Sequence, residues 1–260
     1  MKTLVFCMTL IRNDLDRALL RIWLQLLETQ NAGLDYDLLV VDSASPPEML
    51  DLPGPWSHQV IPLGDDDRKM FTQGPRSLIR FQDRRGHPWH DKVTHASGSD
   101  RALMMGFQTA VNSGYDCVVY LEMDVLWARP LSDAISLMTK PAACLPLVEH
   151  GQFPETGLFI ADCNHMTASD FIRRYDWRGP CWPEGERRQA DIYGPDLQLL
   201  PFRGCRDEWR TRPDELAAKW PDGIDFLTHA SPDTLATFLT MNGFADLAEH
   251  LAGVPNAKDR

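Results

Sequence analysis

The sequence predicts an α/β protein with a mostly parallel central sheet flanked by helices. Three observations carry that reading. Thr3 to Met8 is an unbroken apolar run, as expected of a strand buried on both faces. Residues 14–29 follow with Leu15, Leu19, Ile22, Trp23, Leu26 and Leu27 at three- and four-residue steps, the period of a helix. A second apolar run, Asp37 to Asp42, completes a β-α-β opening, and strands covered on both faces by helices form parallel sheets.

The remaining elements follow in order. Ser43 to Pro47 ends the second strand with turn-forming residues. Gln59 to Ile61 reads as a short third strand. Residues 63–98 are polar and without periodicity, the signature of a long functional loop. Residues 99–112 are helical through Leu103, Met104, Phe107 and Val111, and Gly114 closes the helix as a left-handed C-cap. Cys117 to Leu121 is a strand running into Glu122-Met123-Asp124. A helix at 131–139 and strands at 142–148 and 156–161 come next, then a helix at 164–175. Residues 176–213, rich in Pro, Gly and Trp, take no assignment, so the C-terminal part is expected to be irregular. Phe226 to His229 precedes two final helices, 232–241 and 243–252. The chain reads as one unit of 1–260 with halves 1–126 and 127–260.

Of the 260 residues, 43% are hydrophobic and 24% charged, which suits a soluble globular chain. With 26 Lys and Arg against 37 Asp and Glu, the net charge is −11, which excludes a broad electrostatic grip on nucleic acid or on an anionic membrane surface. No apolar run reaches the roughly 18 residues of a membrane span, and Arg12-Asn13-Asp14 interrupts the N-terminal run too early for a signal peptide. The six cysteines form no Cys-x-x-Cys pair, and Cys7, Cys117 and Cys144 sit in strand-like runs, so a reduced, cytoplasmic protein is expected. Phosphate-loop, dinucleotide-binding, nucleophile-elbow and zinc-protease motifs are all absent.

The strongest chemical signal is Glu122-Met123-Asp124 at the end of an apolar strand. Ligands bind beyond the carboxyl ends of parallel strands. In strand geometry, residues two apart project to one side, and converging carboxylates suit a hard divalent cation. Spacing alone leaves a second reading open, that these acids merely solvate a turn. His87, His90 and His95 lack a Cys partner for a transition-metal site, and Trp177, Trp182 and Trp209 serve a core as readily as a sugar face.

The stretch from Ser99 to Leu126, a helix followed by an apolar strand and an acidic-x-Asp end, resembles the GT-A fold glycosyltransferases. The resemblance implies a Rossmann-like GT-A fold and transfer of a sugar from a nucleotide-sugar donor, a UDP- or GDP-sugar, to a hydroxyl acceptor, with Mn²⁺ or Mg²⁺. It implies a metal set of Glu122, Asp124 and the late His229, with His150 as competitor for the histidine. It places Thr9, Asp42, Ser43, Arg101, Glu122 and Met123 against the donor. Asp191, in Asp191-Ile192-Tyr193, and Glu155, before the Gly157 strand, are the catalytic candidates. Arg76, Arg80 and Trp89 are candidate ligand contacts in the loop. Glu122, where the family has Asp, leaves open whether that acid touches metal, ribose or water. Two alternatives remain, a sugar-nucleotide nucleotidyltransferase and a GT-A-like binding protein without catalysis. The expected partners are a nucleotide sugar and its acceptor, with no nucleic acid; a homodimer is left open.

Overall fold

The computed structural model describes residues 1–260 apart from 51, 66–67, 85–97, 147–155, 176–188, 190, 207–210 and 256–260, and apart from the side chains of Cys205 and Arg206. In chain order the strands are β1 (Thr3–Thr9), β2 (Tyr36–Asp42), β3 (Ser57–Ile61), β4 (Arg76–Phe81), β5 (Cys117–Leu121), β6 (Val125–Trp127), β7 (Ala142–Cys144), β8 (Leu158–Asp162), β9 (Leu197–Leu199), β10 (Gly204–Arg206) and β11 (Phe226–Thr228). Eight of them form one sheet in the order β3-β4-β2-β1-β5-β8-β7-β9, and β10-β11-β6 form a second. Strands β3, β4, β2, β1 and β5 are mutually parallel; β8 runs antiparallel to both β5 and β7.

Alternation along the strands sorts the core. Leu4 and Phe6 of β1, with Val118 and Tyr120 of β5, face helix α2 (Gly98–Asn112). Val5 and Cys7, with Val119 and Leu121, face helix α1 (Asp14–Gln30). The other side of α1 is covered too: Leu15, Leu19 and Ile22 pack with Leu227 and with Leu235 and Phe238 of helix Pro232–Met241. Thus α1 lies between the sheet and the C-terminal helices. Its N-cap is Asn13, whose side-chain oxygen accepts from Asp16 N at 2.9 Å. On the opposite face α2 approaches β1 so closely that a Cβ on Gly106 would lie 2.1 Å from the Phe6 ring. Phe6 in turn meets Phe107 and Tyr120 with ring centroids 5.2 Å apart, within the range of favourable aromatic pairs.

Most expected elements form with boundaries moved by one to three residues, and Gly114 takes the left-handed conformation, φ +70°. Four readings are corrected. Residues 63–98 contain a buried strand, β4, which inserts between β3 and β2. Its apolar run is flanked and broken by Arg76 and Arg80, and both guanidinium groups are neutralised, by Glu28 at 2.6 Å and Asp42 at 3.2 Å, so charge enters the sheet without the usual penalty. The helix expected at 164–175 is two, Cys163–Ala168 and Phe171–Tyr175, separated where Asp170 has φ 54°. The unassigned 176–213 includes β9 and β10, and a further helix, Pro213–Lys219, starts at its end. The last expected helix shortens to Ala245–Ala248 followed by a 3-10 turn. Cys7, Cys117, Cys144 and Cys163 are buried free thiols. Among the described residues, no helix is long and apolar enough to cross a membrane.

Candidate functional site

The site is built at the carboxyl ends of the parallel strands. Strand β1 has β2 on one side and β5 on the other, so the chain order reverses at β1, the position at which open α/β sheets bind ligands. Strand β5 ends at Leu121, whose carbonyl accepts the Trp23 indole N–H from α1 at 3.1 Å. A tight turn follows: Val125 N donates to Glu122 O at 3.1 Å, and Glu122 N donates to Gly157 O at 2.7 Å. The chain then re-enters sheet structure as β6.

This turn alters one expectation. Strand alternation does not govern Glu122 and Asp124, because the strand has already ended. Among the described residues no group of three His, Cys, Asp or Glu side chains converges to hold an ion, so Glu122 does not join Asp124 and His229 as a third ligand of such a group.

Asp124 and His229 do come together. Strand β11 pairs antiparallel with β6, Thr228 opposite Val125, so the residue after Thr228 lies beside the residue before Val125. His229 Nδ1 is 3.6 Å from Asp124 Oδ2. His229 has φ 55°, a left-handed backbone uncommon for a non-glycine residue and concentrated at functional positions. Ser231, two residues on, caps helix Pro232–Met241 by accepting from Thr234 N. Two buried oxygens in this corner have no hydrogen-bond partner, Asp124 Oδ1 and Thr228 Oγ1. A buried carboxylate oxygen without a donor is costly, and a divalent cation is one group that would relieve it. Mg²⁺-like ions are commonly held by one or two protein ligands with water and phosphate oxygens completing the shell. One carboxylate and one imidazole therefore fit such an ion.

On the other side of β1, Thr9, Asp42 and Arg80 form one register row across β1, β2 and β4. Thr9, the last residue of β1, donates its hydroxyl to Met123 Sδ at 3.2 Å and so ties the row to the acidic turn. Asp42 is fully buried. Ser45 N donates to its Oδ2 at 3.1 Å, the Ser45 hydroxyl donates to its Oδ1, and Arg80 Nε lies 3.2 Å from Oδ2. Burial raises the Asp42 pKa above its ordinary value, while Ser45 and Arg80 pull the other way. Ser43 N donates to Thr9 O at 2.8 Å, and its hydroxyl donates to Gly98 O at 3.1 Å, anchoring the start of α2. The Cys7 thiol is pushed far up by burial, with Asp42 and Glu122 adding to the effect, so it is not a nucleophile.

Arg101 sits at 1% exposure. Its Nη1 donates to Asp83 Oδ1 at 2.8 Å and its Nη2 to Asp83 O at 2.6 Å, with the guanidinium 3.8 Å over the Phe81 ring. It joins the end of β4 to the first turn of α2. Asp191 is on the exposed side of the helical turn 191–193, whose Tyr193 is buried against Phe159 and Phe171. Glu155, His150, His87, His90, His95, Trp89, Trp177, Trp182 and Trp209 lie outside the described residues. Ser45 and Asp83 were not anticipated. For Ser45 a signal existed: Asp followed by small polar residues past a strand is the pattern of a side-chain-capped turn.

No protein-family model matches the sequence, and no curated protein matches it. Solved structures do. The chain is similar to the galactosyltransferase LgtC, solved with donor and acceptor sugar analogs, at 14% identity, with 97% of each chain covered and a TM-score of 0.54. It is similar to the glycosyltransferase GlyE of Streptococcus pneumoniae TIGR4, at 12% identity and a TM-score of 0.51, covering 96% of this chain and 62% of GlyE. It also resembles the bifunctional glycosyltransferase WbbM, at 11% identity and a TM-score of 0.51, over 98% of this chain and 50% of WbbM. The chain thus spans under two thirds of the length of GlyE and of WbbM. The fold is the GT-A fold of glycosyltransferases, with its large, mostly parallel sheet and flanking helices.

Proposed function

We propose that this protein transfers a sugar from a nucleoside-diphosphate sugar to a hydroxyl acceptor, using a divalent cation held by Asp124 and His229. The observation that carries the reading is the Asp124–His229 pair at the carboxyl end of β5, with Asp124 Oδ1 buried and unpartnered. The GT-A fold supports the reaction class.

When bound, a divalent cation supplies Lewis acidity that offsets charge on the leaving nucleoside diphosphate. The chain's own contributions are distinct. Asp124 and His229 hold the cation at a corner fixed by the β6–β11 register. That cation also overcomes the field of a chain with net charge −11, which would otherwise repel a diphosphate. Thr9 fixes Met123, and with it the turn that carries Asp124. Asp191 and Glu155 are the carboxylates proposed to meet the acceptor hydroxyl, one of them taking its proton.

Release of nucleoside diphosphate from UDP- and GDP-sugars, assayed with Mn²⁺ and with chelator, tests the reading. Metal-dependent release that disappears in Asp124→Asn is expected. Turnover that survives both chelation and Asp124→Asn would refute it. Metal-dependent nucleotide binding without turnover toward any acceptor would leave a binding protein instead.

A further inference from the structure

Helix α1 reaches the chain on both sides of the acidic turn. Trp23, in the middle of the helix, donates its indole N–H to Leu121 O, one residue before Glu122, at 3.1 Å. Gln30, its last residue, donates from Nε2 to Trp127 O, three residues after Asp124, at 3.2 Å and across 97 positions of sequence. Asn31, the C-cap, accepts from Leu131 N through Oδ1 at 2.7 Å. One helix therefore fixes both ends of the segment that carries Glu122, Met123 and Asp124.

A small pocket lies within this frame, lined by Trp23, Leu26 and Gln30 of α1 and by Leu121, Val125 and Trp127. It leaves about 10 Å³ for the centre of a water, enough for a single molecule. Most polar side-chain groups on its lining are engaged: Trp23 Nε1, Gln30 Nε2, and the amide of Asn31, whose Nδ2 donates to Leu27 O at 3.1 Å. Two are buried without a hydrogen-bond partner, Gln30 Oε1 and Trp127 Nε1. One is an acceptor and the other a donor. Leaving both unsatisfied is costly. The pair selects its guest: a cation would meet the indole N–H, an anion would meet the amide oxygen, and an apolar group would satisfy neither. A water satisfies both.

We propose that this pocket binds one ordered water, which donates to Gln30 Oε1 and accepts from Trp127 Nε1, and that Gln30 is thereby a positioning residue for Asp124. Gln30 then grips Trp127 twice, directly at its carbonyl and through the water at its indole. Trp127 closes β6, the strand whose register with β11 brings Asp124 to His229. The water follows from the pocket alone; the positioning role rests on the reading of Asp124 and His229 as the cation site.

Two measurements on the full chain test it. In the first, the chain carries isotope-labelled tryptophan, and Trp127→Phe identifies the Trp127 indole signal by its loss. That indole N–H is expected to show a magnetisation-transfer contact to a long-lived water that is lost in Gln30→Met, while the Trp23 indole, bonded to Leu121 O, shows none. A Trp127 indole without a water contact in the wild type overturns the water site. In the second, Mn²⁺ is titrated into the folded wild type and variants. Gln30→Met keeps the side-chain length and removes both grips, and it is expected to weaken Mn²⁺ binding at least roughly threefold, below the roughly 10- to 100-fold scale of groups that touch a metal ligand directly. Trp127→Phe, which keeps the bond to Trp127 O, is expected to weaken it less. Leu26→Ala, which enlarges the same pocket and removes no hydrogen bond, is expected to lower the melting temperature and leave Mn²⁺ affinity unchanged. Unchanged affinity in Gln30→Met, or an equal loss in Leu26→Ala, overturns the positioning role and leaves the cation site standing. A wild type that binds no Mn²⁺ overturns the cation site and the positioning role together, and the indole measurement still decides the water.

Discussion

The row Thr9–Asp42–Arg80 and the corner Asp124–His229 lie at the same ends of the strands, yet they are assembled by different contacts. The row is a product of parallel neighbours in the first third of the chain: β1, β2 and β4 pair in continuous register, and each residue is placed by the strand it ends. The corner joins residues 105 positions apart, and depends on a three-residue strand, β11, docking antiparallel on another three-residue strand, β6. Local apolar runs specify the first kind of site. The second is specified by packing, chiefly of Phe226 against the α1 face of the sheet and of Leu227 against α1 and helix Pro232–Met241. The Asp124–His229 corner is thus expected to be more sensitive to remote core changes than the Thr9–Asp42–Arg80 row.

Core substitutions should separate the two. Phe226→Ala, at a fully buried position of β11, is expected to cost about 3–5 kcal/mol in denaturant unfolding and also to weaken Mn²⁺ binding. Val5→Ala, on β1, should lower stability while leaving Mn²⁺ affinity unchanged. Similar Mn²⁺ affinities in the two variants, once both are folded, would erase the distinction.

His229→Ala should reduce cation affinity by at least roughly 10- to 100-fold, the scale already reached by outer partners of metal ligands. Glu122→Gln should reduce it less, because the turn keeps Glu122 out of a three-ligand group. The reverse order, measured by Mn²⁺ titration, would return Glu122 to the ligand set.

Gly106→Ala probes the parallel half from its other face. The added methyl meets the buried Phe6 ring, itself held by Phe107 and Tyr120, and about 1–3 kcal/mol of destabilisation is expected. Unchanged thermal stability would show that α2 can lift from β1 freely.

The smallest effect is in pH dependence. Because burial raises the folded-state pKa of Asp42, its contribution to stability is greatest below the ordinary value near 3.8 and is lost as pH rises through the raised value. The melting temperature of the wild type relative to Asp42→Asn should therefore shift in favour of the wild type as pH falls through that window. A shift in favour of the variant would mean that pairing with Ser45 and Arg80 outweighs burial.

The sequence revealed the β-α-β opening, α2 and the acid-bearing end of β5 because each is a short apolar pattern with a turn at its end. It concealed β4, where Arg76 and Arg80 interrupt the run and are neutralised only by residues distant in sequence, Glu28 and Asp42. His229 was legible as a late histidine after an apolar segment, but its approach to Asp124 came from a register that no local pattern specifies. The resemblance implies a donor contact for Arg101, and its guanidinium is held by Asp83 and Phe81; the partners that bury a charge are invisible until the fold brings them together.

The central claim is that Asp124 and His229 make nucleotide binding depend on a divalent cation. Calorimetric titration of UDP and GDP into the full chain, with Mn²⁺ and then with chelator, tests it most directly. The account predicts binding that requires Mn²⁺ and is lost in Asp124→Asn. Equal affinity with and without the cation, unaffected by Asp124→Asn, would contradict it.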